Sequence, residues 1–287
     1  MMDNKDIIIT GISRGREFSP NHEDNDMAIF SSVADELRNR KFKVETYTED
    51  EFIKRKKYGN VIFNMVRATD SIRLLKGIEI SGTKVINSAF GIENCYRKVL
   101  TRLFEANDIP CPKSIIVPTQ KEFPSVTFPC WIKKGSSHTM VKKDVVYVEC
   151  REEAEKVFED FRRRNIDEAV INEHIVGDLI KFYGVYNTGF FYSFYPTEQS
   201  HSKFGLELIN GKARGFSFNK EKLKEYCEKA SKILNVPIYG GDCVITPKGE
   251  IKIIDFNDWP SFARCRDIAV SYIADYIQKG TEETSEI

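Results

Sequence analysis

Between residues 7 and 87 the chain alternates short apolar runs with stretches of helical period. Ile7-Ile8-Ile9-Thr10 predicts a buried strand, and Ile29, Val33, Ala34 and Leu37 recur at the spacing of one helix face over residues 24–40. Strands are expected at 44–47 and 60–66. Ile72, Leu75 and Ile78 predict a helix ended by Gly82, before a fourth strand at 84–87. Such βαβα alternation implies a parallel sheet covered by helices, with ligands collecting at the carboxyl ends of the strands. Those ends fall at residues 13–16, 67–70 and 87–88, so Arg14, Arg16, Arg67 and Asn87 are candidate substrate contacts.

The pattern then changes. A helix over 93–107 carries Tyr96, Leu100, Leu103 and Phe104 on one side and Lys98 on another. Strands at 114–117, 130–133, 145–148 and 169–171 surround a polar loop at 134–139 and a charged helix at 152–164. Residues 179–185 alternate, which places Lys181 on the face of Tyr183 and Val185. That is an expensive place for an ammonium unless it meets an anion, the plain alternative being an edge-strand lysine. The aromatic run 190–195 lacks a basic surround and reads as a core strand.

Residues 238–260 read as a hairpin, with β-branched flanks on either side of Pro247-Lys248-Gly249-Glu250. If Lys248-Gly249 form a two-residue turn, Asp242 falls directly opposite Asp255, and Asn257 shares their sheet face. Three hard oxygen donors then converge between apolar strands. Carboxylates so placed repel and lose hydration unless a cation compensates them. Oxygen-only ligation suits Mg2+, which commonly takes one or two carboxylates plus nucleotide phosphates. The plain alternative is an exposed hairpin with solvated acids.

Composition narrows the class. At 287 residues, with 41% hydrophobic and 30% charged content, the chain reads as a globular protein long enough for two or three packed units. Lys plus Arg and Asp plus Glu balance at 43 each, which argues against nucleic acid or an anionic membrane as partner. Seven scattered cysteines, none in a C-x-x-C pair, argue against a disulfide framework or a structural zinc, and for a reducing cytoplasm. No signal-peptide core or membrane-length apolar run is visible. Gly11 and Gly15 do not make G-x-G-x-x-G and there is no P-loop, so a nucleotide is not held in those ways. Nothing in the sequence fixes the oligomeric state, and a homodimer stays open.

A strand carrying Asp242, a short turn, and a second strand carrying Asp255-x-Asn257 before Pro260 resembles the metal site of the ATP-grasp superfamily. The resemblance implies ATP and Mg2+, with two ions and Mn2+ able to substitute, bound through Asp242, Asp255 and Asn257. The family usually has Glu at the second acid, so Asp255 is a shorter departure that keeps the charge. The resemblance also implies an α/β fold in three units: a βαβα substrate domain over 1–91, an α+β lid over 92–174, and an antiparallel metal-binding subdomain over 175–287. Lys98 and Lys133 match the family's phosphate-binding lysines, though either alone would read as a surface lysine. Ser136 and Ser137 belong to the phosphate loop, which is poorer in glycine than is common in the family. Glu173, His174 and Ile175 match the adenine-facing linker, with Asp178 or Glu173 as ribose acceptors.

The acceptor is a small molecule of undetermined identity. Ser137-His138-Thr139-Met140 and Lys181 resemble features of inositol-phosphate kinases within the group, which makes His138 and Lys181 catalytic candidates. Most of the superfamily are carboxylate ligases of the glutathione synthetase type, which proceed through an acyl phosphate. A polyphosphorylated acceptor demands a dense basic pocket. Arg14, Arg16, Arg67, Arg264 and Arg266 suit one or two carboxylates better. The reading is therefore a ligase with Arg264 beside the reaction, a kinase being the alternative and a non-catalytic ATP-binding module the third.

Overall fold

The computed structural model describes residues 7–19, 22–136, 141–196 and 209–284. The first sheet is parallel, ordered β2-β1-β3-β4, from β1 (Ile8–Ser13), β2 (Lys43–Thr48), β3 (Val61–Asn64) and β4 (Lys84–Ile86). Helices α1 (Glu23–Asn39), α2 (Glu49–Arg55), α3 (Thr69–Ile80) and α4 (Ala89–Asn94) connect and follow these strands. The short helix α2 escaped the periodicity reading, although its start was written in Thr48-Glu49-Asp50-Glu51. Thr48 accepts from the Glu51 N–H, and Glu51 reaches back to the Thr48 N–H, a reciprocal cap that fixes the first turn.

The second sheet is antiparallel, ordered β5-β8-β6-β7, from β5 (Ser114–Pro118), β6 (Cys130–Lys134), β7 (Val145–Val148) and β8 (Glu168–Glu173). Its outer face holds Cys130, Ile132, Ala169 and Ile171 against Phe158 and Phe161 of α6 (Arg151–Arg163). The alternation along β6 therefore sends Trp131 and Lys133 to the opposite face.

The third sheet, also antiparallel, is ordered β10-β9-β11-β12, from β9 (Asp178–Val185), β10 (Phe191–Phe194), β11 (Ile238–Ile245) and β12 (Ile251–Asp258). One of its faces buries Phe182, Tyr239 and Phe256 under α5 (Arg97–Ala106) and α7 (Lys220–Leu234). Helix α8 (Arg266–Thr284) then returns to the first sheet, where Ala269, Ile273 and Ile277 join Ile29, Val33 and Leu37 of α1 in one core. That core also takes in Val185, Ile238 and Trp259, so the first and third sheets share buried surface.

The helix expected over 93–107 is two. The extended backbone of Tyr96 (φ −66°, ψ 132°) separates α4 from α5, which starts afresh at Arg97. Among the described residues no helix is long and apolar enough to cross a membrane.

Candidate active site between the second and third sheets

The hairpin register is reached by a route the sequence did not reveal. The turn is a three-residue loop, closed by Thr246 N–H to Glu250 O (2.9 Å) with Gly249 at φ +76°. This pairs Ile245 with Ile251 and Cys243 with Ile253, one residue off the expected register. A bulge then restores it: Asp242 pairs with Asp255, leaving Ile254 as the extra residue. The two acids face each other because two irregularities compensate.

Lys181 lies opposite Asp242 on the neighbouring strand, so Lys181, Asp242 and Asp255 form one row across β9, β11 and β12. Lys181 Nζ is 2.8 Å from Asp242 Oδ1. Asn257, one row along, donates its Nδ2 to Asp255 Oδ2 at 3.0 Å. Gly241 permits the crowding here, since a Cβ at that position would sit 2.2 Å from Asp255 O. The donor set is oxygen-only: two carboxylates and an amide. Among the described residues no group of three or more His, Cys, Asp and Glu side chains assembles for a metal, here or elsewhere.

Lys133 arrives from the second sheet and donates to Ile254 O at 3.0 Å, using the carbonyl of the bulge residue. Burial and, after it, the neighbouring Arg97 charge lower the Lys133 pKa to about 8 against the pull of Asp255 and Asp242. The Asp255 carboxyl is pushed up by burial but ends below its ordinary value, because Arg97, Lys133, the Asn257 amide and Lys181 outweigh the desolvation. Arg97, Lys133, Ser114, Asn172 and Asp255 line one cleft between the second sheet, α5 and β12. On the other side of the acid row, β10 places Phe194 opposite Lys181, and the Arg264 guanidinium stacks 4.8 Å over that ring.

No family model matches the sequence, and a search of curated proteins finds no match. Solved structures do match. D-alanine–D-alanine ligase from Bacillus anthracis, solved with ATP, superposes with a TM-score of 0.68 at 14% identity, over 98% of this chain and 99% of that one. The D-alanine–D-alanine ligase of Coxiella burnetii gives 0.68 at 13% identity, over 98% and 96%. A RimK domain ATP-grasp protein from Sphaerobacter thermophilus gives 0.66 at 15% identity, over 94% and 99%. The chain has the ATP-grasp fold.

Within that fold the remaining sequence candidates separate into those near the cleft and those employed elsewhere. Lys98, at the start of α5, pairs with Glu168, and its N–H donates to Gly135 O at 3.0 Å, which ties the helix start to the loop that Ser136 continues. Ser137 and His138 lie outside the described residues. The Glu173 carboxylate accepts the Lys113 N–H at 2.8 Å, and His174 Nδ1 accepts the Trp131 indole N–H at 3.1 Å. Burial lowers the His174 pKa, which favours the neutral ring that acceptance requires. Ile175 sits in the linker with its carbonyl receiving Asn210 Nδ2 at 3.2 Å.

Asp178, the other ribose acceptor the resemblance implied, is engaged by the backbone. It is buried, and its two oxygens accept the N–H groups of Arg214 (2.7 Å) and Phe216 (2.8 Å). The substrate candidates of the first sheet are likewise occupied by the chain itself. Arg14 donates to Asp26 (2.8 Å), Met65 O (3.2 Å) and Trp259 O (3.0 Å), while Arg67 holds the side chain and carbonyl of Asp258. Asn87 is fully buried and braces both backbone groups of Ile238, donating at 2.7 Å and accepting at 2.9 Å. Glu49 closes the same strand ends by accepting the N–H groups of Gly15 and Ala68, each at 2.8 Å. Arg16 is exposed. Sequence reasoning saw charged residues at strand ends. It could not see that β12 would come to meet them.

Arg97 is the residue the sequence reading missed. Its signal was local: α5 opens with Arg97-Lys98, has no acid in its first turn and no side-chain cap. Cations there oppose the helix dipole, a local misfit that marks a site more often than a scaffold.

Proposed function

We propose that this protein is a Mg2+- and ATP-dependent ligase that activates a small-molecule carboxylate and passes it to an amine or thiol. The observation that carries the reading is the row Lys181–Asp242–Asp255 with Asn257 beside it, facing Lys133 across the cleft. The ligases with which the chain shares its fold, one of them solved with ATP, support it. Residues 1–91 then serve as the acceptor unit, 92–174 as the lid and 175–287 as the metal-binding unit.

The donor set fits the metal: Asp242, Asp255 and the Asn257 amide oxygen would hold Mg2+, which takes hard oxygen ligands of this kind alongside nucleotide phosphates. Mg2+, when bound, supplies neutralisation of the phosphate oxygens. The chain's own part is positioning and charge. Lys133, from β6, lines the cleft that would take the triphosphate, and Lys98 opens α5 beside it. A carboxylate oxygen of the acceptor attacks the γ-phosphorus and ADP leaves. The amine or thiol then attacks the acyl carbon and phosphate departs.

A carboxylate is favoured over a phosphorylated polyol by the fate of the arginines. Arg14 and Arg67 are committed to Asp26 and Asp258; beside the acid row stand Lys181 and, over Phe194, Arg264, while Arg97 and Lys133 line the cleft assigned to the nucleotide. That suits one or two carboxylates. Hydroxylamine provides the test: with ATP and candidate carboxylates, a ligase yields a hydroxamate as ADP accumulates. A stable phosphate ester, indifferent to hydroxylamine, would establish the kinase reading instead.

A further inference from the structure

Strand β12 lies at the edge of the third sheet, with β11 as its one strand neighbour. Other parts of the chain hold it at single points. Ile253 N–H donates to Pro110 O at 2.8 Å, and Ile254 O takes the Lys133 ammonium. Beyond the bulge the grip passes to the first sheet. Arg67, just past β3, donates to the Asp258 carboxylate at 2.5 Å and to the Asp258 carbonyl at 3.2 Å. Arg14, just past β1, donates to Trp259 O at 3.0 Å. The Arg67 and Asp258 side chains are both buried, so water does not loosen the grip. The Arg67 backbone is fixed in turn, its N–H shared between the two oxygens of buried Glu49.

The chain turns abruptly at the next residue. Trp259 has φ +36°, an unfavourable conformation for a bulky side chain. Such a residue persists only where its surroundings over-determine it. Here its N–H donates to Ile238 O at 2.9 Å, and its indole is buried 5.8 Å from the Phe63 ring of β3. Asn257, whose amide donates to Asp255 at 3.0 Å, stands directly before this clamp.

We infer that Arg67 is a positioning residue for the metal site: by gripping Asp258 it fixes Asn257 against Asp255, so the first sheet sets how tightly β12 holds a divalent cation. The inference rests on the metal reading of the acid row, and adds to it a dependence on a residue that acts through Asp258.

Calorimetry on the intact protein measures ATP affinity twice, in EDTA and with excess Mn2+. The ratio of the two reports what the protein adds to the hold on the metal, and urea denaturation follows folding. Arg67→Met/Asp258→Leu removes both charges together, which a fold tolerates far better than losing one partner of a buried pair. The double variant is expected to lower the ratio about tenfold, the scale on which groups that orient metal ligands act, with ATP affinity in EDTA unchanged. Arg67→Lys keeps the charge but not the paired donors, and is expected to fall between wild type and the double variant. It reads the same ratio should the double variant fail to unfold cooperatively. An arginine that only braces the fold leaves the ratio at its wild-type value in every variant that folds, and that result would overturn the positioning role. A wild-type protein that binds no ATP, or binds it equally with and without Mn2+, removes the metal reading itself.

Discussion

Replacing Lys133 with methionine should stabilise the unliganded protein while weakening its hold on ATP. The folded protein lowers the pKa of this lysine from 10.5 to about 8, mainly by burial and then by Arg97. Holding the ammonium charged at neutral pH therefore costs the fold about 3 kcal/mol relative to the unfolded chain. Methionine also leaves Ile254 O without the ammonium that donates to it at 3.0 Å, and an unpaired carbonyl costs about 1–2 kcal/mol. Methionine keeps the aliphatic stem and removes the charge, so a net gain of about 1–2 kcal/mol is expected at pH 7. The sign follows from linkage. Between the two pKa values the unfolded chain binds more protons than the folded one, so wild-type stability rises with pH from about 8 to 10.5. The advantage of Lys133→Met is fully present below pH 8 and fades as pH climbs through that window. Urea denaturation of both proteins at pH 7 and pH 10 measures it, and calorimetry with ATP is expected to show a loss of about ten- to a hundredfold. A surface lysine would change neither quantity. If Lys133→Met is destabilising at pH 7, or binds ATP like wild type, the burial argument for this residue is wrong.

Asp242→Asn and Asp255→Asn, which remove charge at constant size, are expected to abolish Mg2+-dependent ADP formation while leaving the circular dichroism spectrum native. Asn87→Ala should cost about 1–3 kcal/mol in urea denaturation, because the buried Ile238 N–H loses its acceptor while Ile238 O keeps only the Trp259 N–H. That is a stability loss where a substrate contact would have given only a higher KM. Asp178→Ala should behave similarly, at about 2–3 kcal/mol, by freeing the N–H groups of Arg214 and Phe216. ATP affinity measured on the folded fraction should change little.

The sequence alone determined what periodicity can carry: the parallel first sheet, the strands of the second sheet, and the hairpin with its two acids and asparagine. Side-chain alternation has period two, so once Asp242 and Asp255 were set opposite, the face of Asn257 followed from strand geometry, whereas the row with Lys181 waited on the register of β9 against β11. Tertiary structure decided the rest. The loop at Lys248 and the bulge at Ile254 are each a one-residue shift of register, and only their pairing partners reveal that the shifts cancel. Arg14, Arg67, Asn87 and Asp178 are polar residues that the pattern could place at element ends but could not assign between ligand and scaffold. Their partners Trp259, Asp258, Ile238 and Phe216 lie far along the chain and meet them only after the sheets pack. Desolvation completed the division: the charge of Lys133 is free in the sequence, and it becomes expensive only when a cleft closes around it.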